Sequence, residues 1–290
     1  MAAMFSETVQ TVGVSNRERA VRRFLKNRLA VVGLVVILLF VALAIFAPLI
    51  APYSPLKANF SHAFRAPTAS HWLGTDELGR DVLSRVIWGA RGSLISGLLI
   101  VALGVSVGVP LGLIAGYFGG IIDDLLMRLV DAALAFPGLV LALAMAWILG
   151  PSLGHAIIAI GVVTIPQFAR ITRGQVLEVK SREYVEAARC VGASPIRIML
   201  RHILLNAATP IIVVATLNIG AAILSVAGLS FLGLGPPPPA PTWGSMVQSG
   251  SQYLTLAPWI SLFPGLAIFM VVLGFNTLGD GLRDVFDPHN

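Results

Sequence analysis

The sequence predicts an all-α integral membrane protein with about six transmembrane helices, and three observations carry that expectation. First, 56% of the residues are hydrophobic and only 12% are charged, with a mean hydropathy of +0.85. A soluble domain of 290 residues carries more charge to cover its surface. Second, six segments reach the roughly 20 apolar residues that a membrane helix requires, at 29–51, 93–118, 132–149, 155–171, 207–234 and 258–278. Third, the basic residues gather beside these segments rather than within them. Lipid offers no partner to a backbone N–H or C=O, so each span satisfies its own groups as a helix. The alternation expected of barrel strands is absent.

The chain divides accordingly. Residues 1–28 form an N-terminal segment, 29–51 the first span, 52–92 a long loop, 93–279 the helical core and 280–290 the tail. The first span is too long for a signal-peptide core, and Ala51-Pro52-Tyr53 is a poor cleavage site, so it reads as an uncleaved anchor. Arg17, Arg19, Arg22, Arg23, Lys26 and Arg28 precede it, and Arg170, Arg173, Lys180, Arg182, Arg189, Arg197 and Arg201 surround the fourth-to-fifth connection. This bias predicts both termini in the cytoplasm. The loops at 52–92, 150–154 and 235–257 then lie outside, and the last, with Pro236–Pro239 and Pro241, reads as a stiff polyproline-like brace or a gate.

Composition also limits the chemistry. Cys190 is the only cysteine, and His62, His71, His155, His202 and His289 have no metal-ligand spacing. The net charge of +6 follows the membrane flanks, so no nucleic-acid partner is expected. Lys26, Lys57 and Lys180 follow Leu25, Leu56 and Val179, which excludes a phosphate-binding loop. The string Gly104-Val105-Ser106-Val107-Gly108 lies inside a span and not at the strand-to-helix turn of a nucleophile elbow.

Gly104, Gly108, Gly112 and Gly116 recur every fourth residue along the second span, a smooth stripe that lets another helix approach closely. Asp124, Arg128 and Asp131 share one face where the third span begins and read as an ion-pair cluster near the interface. Pro110, Pro137 and Pro166 are expected to kink their spans.

The segment 181–206 connects two spans yet is itself helical: Glu183, Tyr184, Val185, Glu186, Ala187, Ala188, Arg189, Cys190 and Val191 run into Gly192-Ala193-Ser194-Pro195, a stop and restart. Two readings stand level on these residues alone. One is a rigid cytoplasmic knob; the other is an amphipathic helix lying on anionic lipid. Glu186-Ala187-Ala188, with Gly192 four residues on, resembles the EAA motif of ABC-importer permease subunits. The pattern departs at His202, where the family has an apolar residue, and at Leu205, where it has proline, which bears on the bend before the fifth span.

Leu73 to Arg85, Ala115 to Gly120, Ser230 to Gly235 with Trp243 and Gly244 beyond it, and Gly279 to Asp284 are similar to signatures of the C-type permeases of dipeptide, oligopeptide, nickel and glutathione importers. The resemblance spans nearly the whole chain and implies the type I ABC importer transmembrane domain. It implies that Glu183, Tyr184, Glu186, Ala187, Ala188, Gly192, Ala193 and Ser194, within segment 181–198, dock on an ATPase subunit. It further implies a homologous permease chain, two ATP-binding subunits that hold ATP and Mg, an extracytoplasmic solute-binding protein and a peptide substrate. This chain then carries no cofactor and no catalytic residue, and sits in the bacterial cytoplasmic (inner) membrane. Relatives of this type carry dipeptides, longer peptides, glutathione, nickel chelates or haem, and no residue here names the substrate contacts. A secondary transporter needs a polar site at mid-membrane, and only Thr164, Gln167, Asn218, Asn276 and small hydroxyls are available. A membrane enzyme needs clustered catalytic side chains, which are not apparent.

Orientation is open to direct measurement. In a Cys190→Ala background, an impermeant maleimide added outside intact cells should label Ser61→Cys and leave Ser181→Cys unlabelled until the membrane is opened. The reverse pattern would invert the topology.

Overall fold

The computed structural model describes residues 23–286. The sequence-predicted basic residues Arg17, Arg19 and Arg22, and the tail beyond Phe286, lie outside them. Among the described residues the regular secondary structure is helical, apart from an isolated bridge between Thr75 and Asp81. Helix α1 (Arg28–Ile45) starts at Asn27, whose side chain accepts from the Ala30 amide at 3.2 Å. A break at Phe46 leads to the single turn α2 (Ala47–Ile50). The loop that follows ends at α3 (Val82–Phe118), and α4 (Gly120–Leu134) and α5 (Gly138–Leu149) come next. Then come α6 (Leu153–Lys180), α7 (Glu183–Cys190), the turn α8 (Pro195–Arg197) and a π-helical stretch Ile198–Ile203 that runs into α9 (Leu204–Phe231). Helices α10 (Trp243–Ser251) and α11 (Trp259–Phe286) complete the chain.

Among the described residues five helices are long and apolar enough to cross a membrane, six if the bent pair α4–α5 counts as one span. Several boundaries differ from the sequence reading, and the fourth and sixth spans run on to Lys180 and Phe286. The second span starts at Val82 and not at Ser93, because its first turns carry buried polar residues, Ser84 and Arg85, that hydropathy scores as loop. At about 1.5 Å per residue, its 37 residues run roughly 55 Å, well beyond the ~30 Å hydrocarbon core. The third span is broken: α4 and α5 meet at 83° across Pro137, which has no N–H to continue the helix. The 235–257 connection is only partly a proline-rich excursion. It contains α10, pinned by Trp243, which is fully buried and donates from Nε1 to the Val86 carbonyl at 2.9 Å.

Helices α3 and α6 form the centre of the packing. A Cβ added at Gly104 would meet Thr164 Oγ1 at 2.6 Å, one at Gly108 the Ile165 carbonyl at 2.6 Å, one at Gly112 the Thr172 Cβ at 2.8 Å and one at Gly116 the Val176 Cβ at 2.8 Å. The whole stripe therefore faces α6 at backbone distance. Ile100, Phe168, Ala222 and Leu229 belong to one buried cluster, which reaches the seam where Phe168 meets Gly104 and Gly108, and Val109, Val176, Ile198 and Ile203 belong to another nearer α7. Helix α1 packs on α11, where Gly33 abuts Gly274 and Thr277. Asn27 Nδ2 donates to Asp284 Oδ2 at 2.9 Å, so the start of the first span and the end of the last lie together.

The polar contacts differ from the expected cluster. Asp124 and Arg128 form no ion pair with each other. Instead Asp123 takes both Arg173 Nε at 2.6 Å and Arg173 Nη2 at 2.7 Å, and Asp131 pairs with Arg170, so α4 is tied to α6. At the other end, the loop before α3 is knotted around Asp76. Its Oδ1 accepts from the Leu78 and Arg80 amides at 3.0 and 2.9 Å, and its Oδ2 from Arg80 Nε at 2.7 Å. Asp81 caps α3 by accepting from the Ser84 amide at 2.8 Å, and its other oxygen meets His71 Nδ1 at 2.9 Å.

The seam makes a quantitative prediction. Gly108→Leu forces a side chain against a backbone carbonyl that cannot rotate away, an overpacking cost of at least ~1–3 kcal/mol. Thermal unfolding in detergent should shift down by several degrees and yield should fall. Gly174→Ala on α6 adds a Cβ with nothing within 4 Å and should be neutral or slightly stabilising. Equal unfolding temperatures for the two variants would show that the seam does not hold the fold.

Candidate functional site: a helical knob after α6

Helix α7 begins at Arg182, whose extended backbone breaks the chain away from α6. Glu183 and Glu186 fill the first turn and Arg189 the last, matching the helix dipole at both ends. Val185 and Ala188, three residues apart, share one face, and both are buried against Val176, Val179, Ile198, Met199 and Ile203. The helix closes on Gly192 at φ +79°. The Gly192 amide donates to the Arg189 carbonyl at 2.9 Å and the Ala193 amide to the Ala188 carbonyl at 3.0 Å, the paired bonds of a Schellman cap. Ser194 is extended, as a residue before proline is, and Pro195 opens α8.

The knob is fastened twice more. Lys180 Nζ, at the end of α6, donates to the Tyr117 carbonyl at 2.5 Å and the Gly116 carbonyl at 3.3 Å, the last carbonyls of α3. Arg189 of α7 lies 5.7 Å over the Tyr117 ring, and Lys180 lies 5.7 Å from the same ring. Tyr117 and Lys180 escaped the sequence reading as parts of this site. Their signal was a lysine closing one long helix and an aromatic closing another, which only the fold brings together. The exposed Arg182–Glu178 pair at 2.8 Å contributes little.

Of the sequence-predicted residues, Glu183, Tyr184, Glu186, Ala187, Gly192 and Ser194 are exposed, Ala193 is half-buried and Ala188 is buried. Ala188 packs against the protein's own core. Tyr184, Val191, Ile196 and Leu200 are apolar residues 44, 84, 66 and 52% exposed, and Glu183, Glu186, Arg189 and Arg197 are exposed in the same segment. Exposed apolar and charged side chains in one short segment are the composition of a protein-binding surface. The departures at His202 and Leu205 fall where the π-helical stretch joins α9, so the chain enters the fifth span without a sharp bend.

Comparison with known proteins gives this knob a context. Residues 108–290 match the family described as binding-protein-dependent transport system inner membrane component, and residues 15–67 match the N-terminal TM domain of oligopeptide transport permease C. The chain is 48% identical over 279 residues to the dipeptide transport system permease protein DppC of Alkalihalophilus pseudofirmus, covering 96% of this chain and 92% of that one. It is 45% identical over 268 residues to the glutathione transport system permease protein GsiD of Escherichia coli, covering 92% and 88%. Its fold matches a chain of the MetNI methionine ABC transporter, solved in inward facing conformations, with TM-score 0.57 at 21% identity over 70% of this chain and 97% of that chain. With its type I importer fold and near full-length similarity to transport permeases, the chain belongs to the binding-protein-dependent transport system inner membrane components, the multi-pass permease subunits of ABC importers.

Proposed function

We propose that this chain and a homologous permease chain together form the path by which dipeptides or short oligopeptides enter the cytoplasm. Two ATPase subunits dock from the cytoplasm and hydrolyse ATP with Mg, and an extracytoplasmic binding protein delivers the cargo. Identity of 48% to a dipeptide permease and 45% to a permease for glutathione, itself a small peptide, supports a peptide cargo. Basic residues flanking the spans favour both termini in the cytoplasm of a bacterial inner membrane.

The observation that carries the reading is the buried face of α7. A helix lying on lipid would offer its apolar face to the bilayer. Here Val185 and Ala188 spend that face on the protein's own core, and the outward face mixes Glu183, Glu186 and Arg189 with Tyr184, Ala187 and Val191. Such a face suits a groove in a partner protein. Closure of the ATPase pair would push α7, and because Lys180 and Arg189 hold α3 at Tyr117, the push reaches α3 and α6 as one body. The glycine seam then moves the pair together, rocking the path between outward-open and inward-open states.

Gly192 tests this. Its missing Cβ would meet nothing within 4 Å, so Gly192→Val acts only through the left-handed backbone, at a cost of ~1–2 kcal/mol. The cap should open, reducing the ATPase subunits retained on the tagged permease and abolishing cargo-stimulated ATP hydrolysis in proteoliposomes. Gly192→Asn, which tolerates this conformation, should keep most of both, and Glu186→Ala should lose a smaller share. Wild-type retention and hydrolysis from Gly192→Val would remove α7 from the transmission path.

A further inference from the structure

At the end of the protein opposite α7, a groove of about 490 Å³ lies between α1 and the first half of α3. Val41 and Ile45 of α1 and Leu94, Ile95 and Leu98 of α3 line it, and Arg91 is the one polar side chain in its lining. Leu94, Ile95 and Leu98 follow Arg91 at helical spacing and share its face of α3, so the groove runs along that helix for roughly 10 Å. Ile45, Ile95 and Leu98 are 60, 55 and 59% exposed. In a membrane-spanning chain such a face looks at lipid or at another chain.

Arg91 is set at the mouth of the groove by the way α1 ends. The Ala44 carbonyl would accept from the amide four residues on, but that residue is Pro48, which has no N–H. The Leu49 amide, which would serve Ile45, donates to the Phe46 carbonyl at 2.9 Å instead. Arg91 meets both orphaned carbonyls, donating from Nε to Ala44 and from Nη2 to Ile45, the latter at 3.0 Å. Its guanidinium also lies 5.0 Å from the centre of the Trp88 ring. These contacts fix the group without neutralising it. A guanidinium has five N–H donors, and only two are used here. None of the ion pairs among the described residues includes Arg91.

Whatever covers this face must be apolar along its length and anionic at one end. A lipid tail gains little by exchanging other tails for leucine and isoleucine, so the choice between lipids falls to Arg91. A phosphodiester accepts from a guanidinium in a charge-assisted, bidentate pair. A zwitterionic head group brings an ammonium as well, and the lining holds no carboxylate to receive it. A helix of another chain would have to place its own carboxylate at the end of a span, whereas a phospholipid carries its anion at that depth. We propose that the groove between α1 and α3 is a site for an anionic phospholipid, with its phosphate on Arg91 and one acyl chain along Leu94, Ile95 and Leu98. The lipid then fills the gap between the first span and α3. The site depends on the membrane-spanning fold and not on the cargo.

Native mass spectrometry of the complete transporter, purified through a tag on this chain, tests the site. The transporter is supplied with phosphatidylglycerol or with phosphatidylethanolamine of the same acyl chains. The wild type should retain phosphatidylglycerol about fivefold better, and that lipid should raise its unfolding temperature, as a ligand of the folded state does. Arg91→Gln keeps an amide donor for the α1 carbonyls but loses the charge, and both preferences should disappear. Arg91→Lys should keep most of the preference in retention. Leu98→Trp, at an exposed position, leaves Arg91 in place and fills the groove. It should lower retention of phosphatidylglycerol while the permease pair stays together. Equal retention of the two lipids by the wild type overturns the site, as does an unchanged phosphatidylglycerol preference in Arg91→Gln or in Leu98→Trp. Separation of the permease pair by Leu98→Trp with lipid retention unchanged would give the groove to the partner chain and overturn the lipid site as well.

Discussion

Inside a bilayer, two helices gain little by hiding leucine from lipid tails that are equally apolar. What holds them is contact at close range, and contact at close range needs the absence of side chains. The Gly104, Gly108, Gly112 and Gly116 face of α3 meets this need, setting its backbone against Ile165, Ala169 and Thr172 of α6. The rest of the structure depends on that seam. Dispersion forces fall steeply with separation, so a single bulky residue would open the contact along several turns. The Asp123–Arg173 ion pair and the Lys180 bonds to α3 then stand at one end of the seam.

The two ends of the molecule solve the same problem by different means. Around α7 the backbone is closed by local geometry, a Schellman cap at Gly192 and a lysine on the last carbonyls of α3. At the start of α3 it is closed by charge, with Asp76 accepting two amides and a guanidinium, and Asp81 capping the helix. Buried carboxylates of this kind are stable because each oxygen is matched to a donor. Glu77 is the exception within this knot, since one of its oxygens is not matched.

Hydropathy made the spans legible, because the membrane imposes length and composition on each helix separately. Its failures have a common cause. Ser84 and Arg85 are helical and buried through contacts with distant residues, and no local window can distinguish them from loop. Trp243 and α10 were hidden within a proline-rich run, since their burial depends on α3 and α9. Spacing suggested that Asp124 would meet Arg128, whereas Asp123 meets Arg173, 50 residues away. Gly192 was readable for the opposite reason: a helix stop needs only its own few residues. Of the knob, the Glu183–Cys190 helix was visible in the sequence, and its clasp of Tyr117 with Lys180 and Arg189 was not.

Continuous helices join the two ends of the molecule. Helix α9 follows directly from the π-helical stretch beside α7 and ends at the turn that carries Ser230. Its 28 residues span roughly 42 Å at 1.5 Å per residue. A π segment at the start of a long helix is a site where the hydrogen-bond register can change without breaking the helix. Helix α7 is thus joined to the far end twice: through the seam into α3 and the Asp76 knot, and along α9 to Ser230. Glu77 and Ser230, at the ends of these two chains of contact, line the same cavity between the Asp76 knot, α9 and α10.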